Sequence, residues 1–434
     1  MSDEREIAVD YLARVEGEGA MYLRLKGDEV LDLKFKIFEP PRFFEAFLRG
    51  RRFTEAPDIT ARICGICPVA YQTSACNAME HAGGVELHDR LRVLRRILFC
   101  GEWIESHGLH VFFLHAPDFL GYESGIAMAA DLPDRVETGL RLKKLGNTLM
   151  TVLGGREIHP INVKVGGFYR VPTKAELEAL VPEFEWALAA AVDTARWVGD
   201  FPFPDFERDY EFVALRHPDR YAIEGGRIVS NRGMDISVPE WQDVFEESHV
   251  AWSNALHATI KDRGAYHVGP MARYSLNSEQ LGPAARKAAA DAGLGDECRN
   301  PFQSIVVRAV EIAFACEEAL KLIDNYERPA APAIDVAPNG NVGHGASEAP
   351  RGLLYHRYQI DEEGKIADAL IVPPTSQNQM SIEDDLKTFV PPHAHLDDGT
   401  LQWQLEQAIR NYDPCISCAT HFLDLTVERE EDSA

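Results

Sequence analysis

Two cysteine pairs with the spacing C-x-x-C, Cys64/Cys67 and Cys415/Cys418, constrain the fold of this chain more than any other feature. Each pair can present two thiolates to one metal ion, so the two pairs together can complete a four-sulfur site. Zinc ribbons and fingers usually join cysteines within one short stretch of chain, whereas most of the 434 residues lie between these pairs. The fold must therefore bring distant segments together, which is typical of a cofactor centre inside an assembled protein.

The composition excludes several classes of protein. A net charge of −25 argues against nucleic-acid binding, which requires a basic surface. Eight cysteines are too few for a disulfide scaffold in a chain of this length, so we expect reduced thiols and a cytoplasmic protein. The charged N-terminal residues lead into no apolar segment, and no apolar run is long enough to span a membrane. We therefore expect neither a signal peptide nor a transmembrane helix.

The apolar pattern predicts an α+β fold that is mainly α. Residues 5–38 alternate apolar and polar side chains around a turn signal at Gly27-Asp28, which predicts a small antiparallel sheet. From about residue 65 the period becomes helical, and several long helices predict a central bundle. Residues 200–275 mix short strands with turns, and we interpret them as an α/β elaboration of the bundle. The prediction is a single domain over residues 1–434.

Four segments carry the helical period most clearly. They cover residues 91–104, 136–153, 173–198 and 305–326. In the third segment Thr173 and Glu176 have the spacing of a capping box, which predicts a helix start there.

The flanks of both cysteine pairs resemble the large subunit of nickel–iron hydrogenases, whose two signatures are R-x-C-G-x-C and D-P-C-x-x-C-x-x-H. This chain reads Arg62-Ile63-Cys64-Gly65-Ile66-Cys67 and Asp413-Pro414-Cys415-Ile416-Ser417-Cys418-Ala419-Thr420-His421. Further segments similar to this family are residues 14–19, 107–118, 154–160, 269–274 and 349–352. The resemblance thus extends over nearly the whole chain.

This resemblance implies a nickel–iron centre bound by all four cysteines. Cys67 and Cys418 would bridge nickel and iron, and Cys64 and Cys415 would be terminal nickel ligands. Without the flanking residues, a four-thiolate zinc site is the general alternative for this ligand set.

The iron of such a centre carries carbon monoxide and cyanide, which require hydrogen-bond donors and an apolar wall. The resemblance assigns these contacts to Pro350, Arg351 and Thr375. Arg351 can supply a guanidinium group, and Thr375 a hydroxyl group. Near Gln377 the chain departs from the commoner family pattern, which has an aromatic residue there.

Cleavage of dihydrogen releases a proton, which a terminal thiolate can accept and a nearby carboxylate can pass on. Glu16 matches the family's proton-relay glutamate, although a solvated surface glutamate is the alternative interpretation, and Glu18 serves as a comparison. By resemblance, Asp118 and Asp413 flank the site and form a charged canopy with Arg351.

The resemblance also implies a second cation near the C-terminal cysteine pair. Glu45 and His421 match residues that share Mg²⁺ (or Fe²⁺) in the family. A carboxylate oxygen suits such an ion, whereas histidine is a less usual ligand for it. The alternative for Glu45 is an ordinary glutamate on a helix surface.

The sequence therefore predicts the catalytic subunit of a cytoplasmic nickel–iron hydrogenase, which converts dihydrogen reversibly into protons and electrons. Since no further cysteine cluster suits an iron–sulfur centre, we expect an iron–sulfur small subunit and flavin- or NAD(P)-reducing subunits as partners. Two alternatives remain. One is a zinc-stapled interaction protein, and the other is a quinone-site scaffold related to respiratory complexes, whose members lack the cysteine ligands.

The resemblance further implies maturation by nickel-insertion proteins and by an endopeptidase that cuts after His421. Residues 422–434 would then be a removable C-terminal extension with an acidic end. A permanent surface tail is the alternative that this composition also suits.

Overall fold

The computed structural model describes residues 4–337 and 340–421, so the predicted extension, residues 422–434, lies outside the described residues. The α-helices are α1 Phe44–Leu48, α2 Ala56–Thr60, α3 Pro68–Ala82, α4 Asp89–Leu109, α5 Ala116–Leu120, α6 Gly125–Met128, α7 Pro133–Gly154, α8 Lys174–Glu178, α9 Val181–Gly199, α10 Trp241–Val244, α11 Pro270–Asn277, α12 Pro283–Asp291, α13 Ser304–Asp324, α14 Pro374–His393 and α15 Asp398–Arg410. The strands are β1 Glu4–Val9, β2 Gly19–Lys26, β3 Glu29–Ile37, β4 Val163–Lys164, β5 Gly167–Phe168, β6 Val213–Arg216, β7 Arg227–Ser230, β8 Asp235–Ile236, β9 Phe245–His249, β10 Leu256–Ile260, β11 Val342–Ala349, β12 Gly352–Ile360 and β13 Ile366–Val372.

The longest helices contact one another. Helix α4 packs against α7 and α13, and α13 packs against α9. The α4–α7 contact is close because glycines meet there: a Cβ added to Gly146 would lie 2.5 Å from the carbonyl oxygen of Gly101. Helix α4 continues into a π-helical turn, His110–His115. None of the described helices is long and apolar enough to cross a membrane.

One predicted helix is divided in two. The capping box of Thr173 and Glu176 forms at the start of α8, but that helix ends at Glu178. Helix α9 then starts at Val181 with Pro182 in its first turn. Proline lacks the N–H that a continuous helix would need here and is well tolerated in a first turn, so the chain restarts the helix at this point.

The predicted mixture of helices and a small N-terminal antiparallel sheet is confirmed. Strands β1, β2 and β3 pair in that order, and Gly27 takes the left-handed turn conformation between β2 and β3 with φ +61°. Residues 200–275 contain the sheet β6-β7-β8 and the pair β9-β10. A further antiparallel sheet, β11-β12-β13, was not predicted from the sequence.

Strand β11 lies directly on helix α3, the helix that follows the first cysteine pair. A Cβ added to Gly345 would collide with the carbonyl oxygen of Ser74, so only glycine allows the two backbones to approach this closely. The side-chain hydroxyls of Ser74 and Ser347 also share a hydrogen bond of 2.8 Å. The unpredicted sheet therefore holds α3 in place behind the cysteines.

The largest hydrophobic core surrounds the long helices and includes all four cysteines of the two pairs. A second core lies between the N-terminal sheet and helices α14 and α15, and a third lies between the sheets of residues 200–275 and β12. The cysteine pairs thus lie inside the main core, near its boundary with the second core.

Candidate metal centre

The structure brings the four predicted cysteines together. Their sulfur atoms all lie within 4.8 Å of one another, and each residue is buried. The Sγ–Sγ distances are 3.4 Å for Cys64–Cys415, 3.8 Å for Cys67–Cys418 and 2.9 Å for Cys415–Cys418. In residues 4–337 and 340–421, this is the one group of at least three histidine, cysteine or acidic side chains arranged to share an ion. Four converging sulfur donors fit a soft transition metal such as nickel, iron or zinc.

The start of helix α3 positions the first pair. Cys67 occupies the N-cap position of this helix, and Pro68 follows it in the first turn. The backbone N–H groups of Ile66 and Cys67 each donate to Cys64 Sγ at 3.3 Å. Donors of this kind stabilise a thiolate.

The free N–H groups at the start of α3 are capped by a buried carboxyl group of α4. Glu102 accepts hydrogen bonds from the backbone of Val69 at 2.6 Å and Ala70 at 3.2 Å. Burial raises the pKa of Glu102 well above its usual range. This residue ties α3 to α4 immediately behind the first cysteine pair.

Neighbouring segments tie the two cysteine loops to each other. The guanidinium of Arg42 donates to the carbonyl oxygen of Ile63 at 2.7 Å and to that of Ser417. The N-terminal segment joins the second loop, because the N–H of Ile416 donates to the carbonyl oxygen of Glu16 at 2.9 Å. In the second pair, Cys415 is the N-cap residue of a short 3₁₀ helix, Ile416–Ala419, and Cys418 lies within it.

Glu16 contacts the cysteine cluster directly. Its Oε2 atom accepts hydrogen bonds from the Cys415 thiol and from the backbone N–H of Ser417, both at 3.0 Å. Burial, followed by the nearby charge of Cys64, raises the pKa of Glu16. Among the described residues, the Glu18 side chain forms no hydrogen bond with any of the four sulfurs.

The four thiols do not ionise equally. Hydrogen bonds from Cys415, Cys418 and Cys67 lower the pKa of Cys64 well below its usual value, whereas burial raises the pKa of Cys415. A metal ion that binds to these cysteines as thiolates displaces the protons that the thiols hold.

Arg351 and Asp413 form a buried ion pair beside the sulfurs. Arg351 Nε donates to the Asp413 carbonyl at 2.8 Å, and Nη2 donates to Asp413 Oδ1 at 3.1 Å. A further contact joins Nη1 to the hydroxyl of Ser106 at 3.3 Å. Burial opposes the charge, but Asp413 and the cysteine thiolates hold the pKa of Arg351 well above its usual value.

Asp118 pairs with two arginines other than Arg351, the residue with which it was expected to form a charged canopy. Its carboxylate accepts from Arg410 Nε and Nη2, both at 2.8 Å, and from Arg14 Nη2 at 2.6 Å. In the part of the chain that the structure describes, no hydrogen bond joins Asp118 to Arg351. Asp118 therefore fixes two arginines, one of which lies two residues before Glu16.

Thr375 and Pro350 contact the backbone around the cluster. The hydroxyl oxygen of Thr375 accepts from the N–H of Cys415 at 3.0 Å, so this residue supports the second cysteine loop. The carbonyl oxygen of Pro350 accepts from Arg273 Nη2 at 2.8 Å. The predicted cofactor contacts thus lie in segments that also hold Cys415 and Arg351.

Glu45 and His421 lie together as the sequence predicts, with 3.9 Å between Glu45 Oε1 and His421 Nδ1. Glu45 also accepts from the N–H of Ile371 at 2.8 Å. Burial raises the pKa of Glu45 to about 7 and lowers the pKa of His421 to about 3. A neutral imidazole with a free ring nitrogen is the form that binds a metal ion.

Several residues of the site carried no signal in the sequence. Arg42, Glu102, Ser106 and Ser417 act through backbone groups or through partners distant in sequence. Only Ser417 could have been inferred, since it lies inside the second cysteine pair.

Comparison with known proteins identifies similar chains. A family model described as nickel-dependent hydrogenase matches residues 42–138 and 252–421. Sulfhydrogenase 1 subunit alpha of Pyrococcus furiosus is 34% identical, over 96% of this chain and 98% of the relative. The NAD-reducing hydrogenase HoxS subunit beta of Cupriavidus necator is 27% identical, over 96% and 95%. A crystal structure of NAD⁺-reducing [NiFe]-hydrogenase in the H2-reduced state superimposes with a TM-score of 0.85, at 25% identity, over 96% of this chain and 99% of that chain.

We predict that Cys67→Ser and Cys418→Ser each lower the nickel content of the purified protein by at least about tenfold, because a hydroxyl group is a poor substitute for a soft thiolate ligand. Cys76→Ser and Cys298→Ser are matched controls, since both residues are buried free cysteines outside the cluster. Metal analysis of folded protein, checked by thermal unfolding, measures the difference. Full nickel content in Cys418→Ser would contradict the assignment.

Proposed function

The chain belongs to the nickel-dependent hydrogenase family, and on this premise we propose that it passes electrons from dihydrogen to an iron–sulfur small subunit and on to NAD(P) or another soluble carrier. It is a catalytic hydrogenase subunit, an oxidoreductase acting on dihydrogen. The observation that supports the proposal most strongly is the cluster of four buried cysteines, one of which, Cys415, donates a hydrogen bond to Glu16. A structural zinc site would not require that carboxyl group, and a quinone-site scaffold protein would lack the thiols.

Cys64, Cys67, Cys415 and Cys418 would together hold nickel and iron. When bound, this centre supplies the heterolytic cleavage of dihydrogen. Carbon monoxide and cyanide on the iron would be accommodated by Pro350, Arg351 and Thr375. Two observations support this assignment: Arg351 is paired with Asp413, two residues before Cys415, and Thr375 lies within hydrogen-bond distance of the Cys415 backbone.

Glu16 would carry the proton away from the sulfur of Cys415. The two groups already share a hydrogen bond of 3.0 Å, so a proton on Sγ can move to Oε2 without rearrangement of the backbone. Because burial raises the pKa of Glu16, the protonated carboxyl is easier to form than at the surface. The N–H of Ser417 keeps the carboxyl oriented toward the thiol.

The charged residues around the cluster would have distinct roles. Asp413 balances the charge of Arg351 and holds its guanidinium beside the cysteines. Asp118 would act indirectly, since it fixes Arg14 and Arg410, and Arg14 places the segment that carries Glu16. Glu45 and His421 would share Mg²⁺ or Fe²⁺, a proposal supported by their short separation and by the free ring nitrogen of His421.

The partners follow from the relatives and from the cysteine count. No cysteine cluster other than the candidate metal centre occurs in the described residues, so electrons need an iron–sulfur subunit to leave the protein. Flavin- or NAD(P)-reducing subunits would complete a cytoplasmic complex, in line with the NAD-reducing relative. We also propose that residues 1–434 form one domain, in which α4, α7, α9 and α13 form a central bundle and residues 200–275 elaborate it.

The purified complex should contain nickel and iron and should reduce NAD or NADP when dihydrogen is supplied. Metal analysis and the absorbance of the reduced nicotinamide measure both properties, and a deazaflavin serves as the alternative acceptor. Zinc as the sole bound metal, with no dihydrogen-dependent reduction of any acceptor, would exclude the proposed function.

Glu16→Gln should lower proton–deuterium exchange by about 100-fold or more, because an amide cannot accept the thiol proton. Nickel content and the infrared bands of carbon monoxide and cyanide should stay near those of the unchanged protein, since glutamine keeps the shape and the hydrogen bond from Ser417. Glu18→Gln is the control and should retain exchange. The opposite pattern, with loss only in Glu18→Gln, would show that the relay is misassigned.

The active enzyme should end at His421. We propose that a maturation endopeptidase removes residues 422–434 after nickel insertion, so that His421 becomes a buried terminal residue beside Glu45. Mass spectrometry of the active complex reads the C-terminus directly. A full-length chain in fully active enzyme would refute the processing.

A further inference from the structure

Arg351 lies at the tip of a tight β-hairpin. Strands β11 and β12 pair antiparallel up to Ala349 and Gly352, so Pro350 and Arg351 alone form the connection. A hairpin tip without further support is a mobile element, and a long arginine side chain on it loses considerable rotamer freedom when it is fixed. Something must therefore hold this tip if Arg351 is to keep one position beside the cysteines.

A second, completely buried arginine binds the backbone of the hairpin tip. Arg273 belongs to α11, and its side chain is inaccessible to solvent. Its Nη1 atom donates to the carbonyl oxygen of Ala349 at 2.7 Å, and Nη2 donates to the carbonyl oxygen of Pro350 at 2.8 Å. These are the two carbonyls directly before Arg351.

The remaining donors of Arg273 are paired with carboxyl groups. Nε and Nη2 donate to the two oxygens of Glu311 at 2.9 and 2.7 Å, and Nη1 donates to Glu348 at 3.1 Å. Every N–H of the guanidinium thus has an acceptor. Burial opposes the charge of Glu311, but Arg273 lowers its pKa to about 2, while burial raises the pKa of Glu348 to about 7. Glu311 is therefore the carboxylate that balances the buried charge of Arg273.

The backbone confines the tip from the other side. A Cβ added to Gly269 would lie 2.7 Å from the carbonyl oxygen of Arg351, and one added to Gly352 would lie 2.7 Å from the nitrogen of Gly269. Gly269 has φ +117° and is the N-cap residue of α11, the helix that carries Arg273. The tip thus lies between the Arg273 guanidinium and the start of the same helix.

We propose that Arg273 is a positioning residue for Arg351: by binding the carbonyls of Ala349 and Pro350 it fixes the hairpin tip, and through the tip it holds the Arg351 guanidinium against Asp413 at the metal centre. This inference rests on the proposed function of the centre. Glu311 supplies the countercharge, and Gly269 allows the Arg351 carbonyl to lie close to the start of α11. Together, Arg273, Glu311 and Gly269 form a clamp on the hairpin tip.

The test uses Arg273→Lys in the purified complex. Lysine keeps the charge, but its ammonium has three donors at a single nitrogen and cannot replace the five hydrogen bonds that the planar guanidinium makes to the two carbonyls, Glu311 and Glu348. Activity should fall about 10- to 100-fold, the cost of displacing a reactive-site group by a fraction of an ångström to one ångström. Nickel content should stay unchanged. Amide hydrogen exchange of a peptide covering residues 345–355 should become faster, whether or not nickel is bound.

A double-mutant cycle separates positioning from general stability. If Arg273 acts through Arg351, adding Arg273→Lys to Arg351→Lys should cost little further activity. Full additivity of the two losses would overturn the proposal. If Arg351→Lys alone leaves activity unchanged, the role proposed for Arg351 at the metal centre is wrong. Loss in Arg351→Lys together with full activity in Arg273→Lys refutes only the positioning role.

Arg95→Lys is a matched control. Arg95 is 1% exposed and forms a bidentate pair with Glu80 at 2.9 and 2.6 Å, but it does not contact the hairpin tip. This variant reports the general cost of replacing a buried arginine, so it should lower the unfolding temperature without faster exchange in residues 345–355. An equal increase of exchange in both variants would contradict the proposal.

Gly269→Ala tests the same clamp without removing a charge, and it decides the question if Arg273→Lys does not fold. Its added methyl group should displace the Arg351 carbonyl and reproduce both the activity loss and the faster exchange. Gly264→Ala is the control, since Gly264 has φ +88° but no atom within 4 Å of an added Cβ. Normal activity in folded Gly269→Ala would overturn the inference.

Discussion

Four sulfur atoms enclosed within 4.8 Å of one another in the main hydrophobic core are the constraint on which the rest of this structure depends. Thiolates so close together repel each other, and burial removes the water that would screen them. Three features reduce this repulsion. Backbone N–H groups donate to Cys64, Arg351 brings a positive charge, and burial raises the pKa of Glu16, which disfavours a further negative charge. These groups offset the repulsion between the sulfurs and the cost of burying them.

Four arginines tie segments of the chain together around this cluster. In each case one part of the guanidinium pairs with a carboxylate, while another part donates to a backbone carbonyl oxygen. The residues are Arg14 on Leu114, Arg273 on Ala349 and Pro350, Arg351 on Asp413, and Arg410 on Ala13. A planar group with many donors can satisfy both partners, whereas lysine cannot. These bonds tie loops without regular structure to the rest of the fold.

The sequence was sufficient for features whose signal is local or chemically specific. The cysteine pairs converge as expected, and the alternating N-terminal strands and three of the four long helices form as predicted. Strand β11 could not be predicted, because Gly-, Ala- and Ser-rich residues lack the usual strand pattern and are placed by contact with α3. The partners of Asp118 and of Arg273 could not be predicted either, since these ion pairs join residues far apart in sequence and spacing cannot reveal them.

The distance along the chain between the two halves of the cluster has a consequence for biosynthesis. Cys64 and Cys415 are 351 residues apart, so at roughly 5 to 20 residues per second a ribosome completes the second half about 20 to 70 s after the first. During that interval the first cysteine pair lacks the partners that would bury it. Contacts of such long range also form late in folding, because the intervening chain must first be ordered. The four-sulfur cluster can therefore form only after nearly the whole chain has been synthesised.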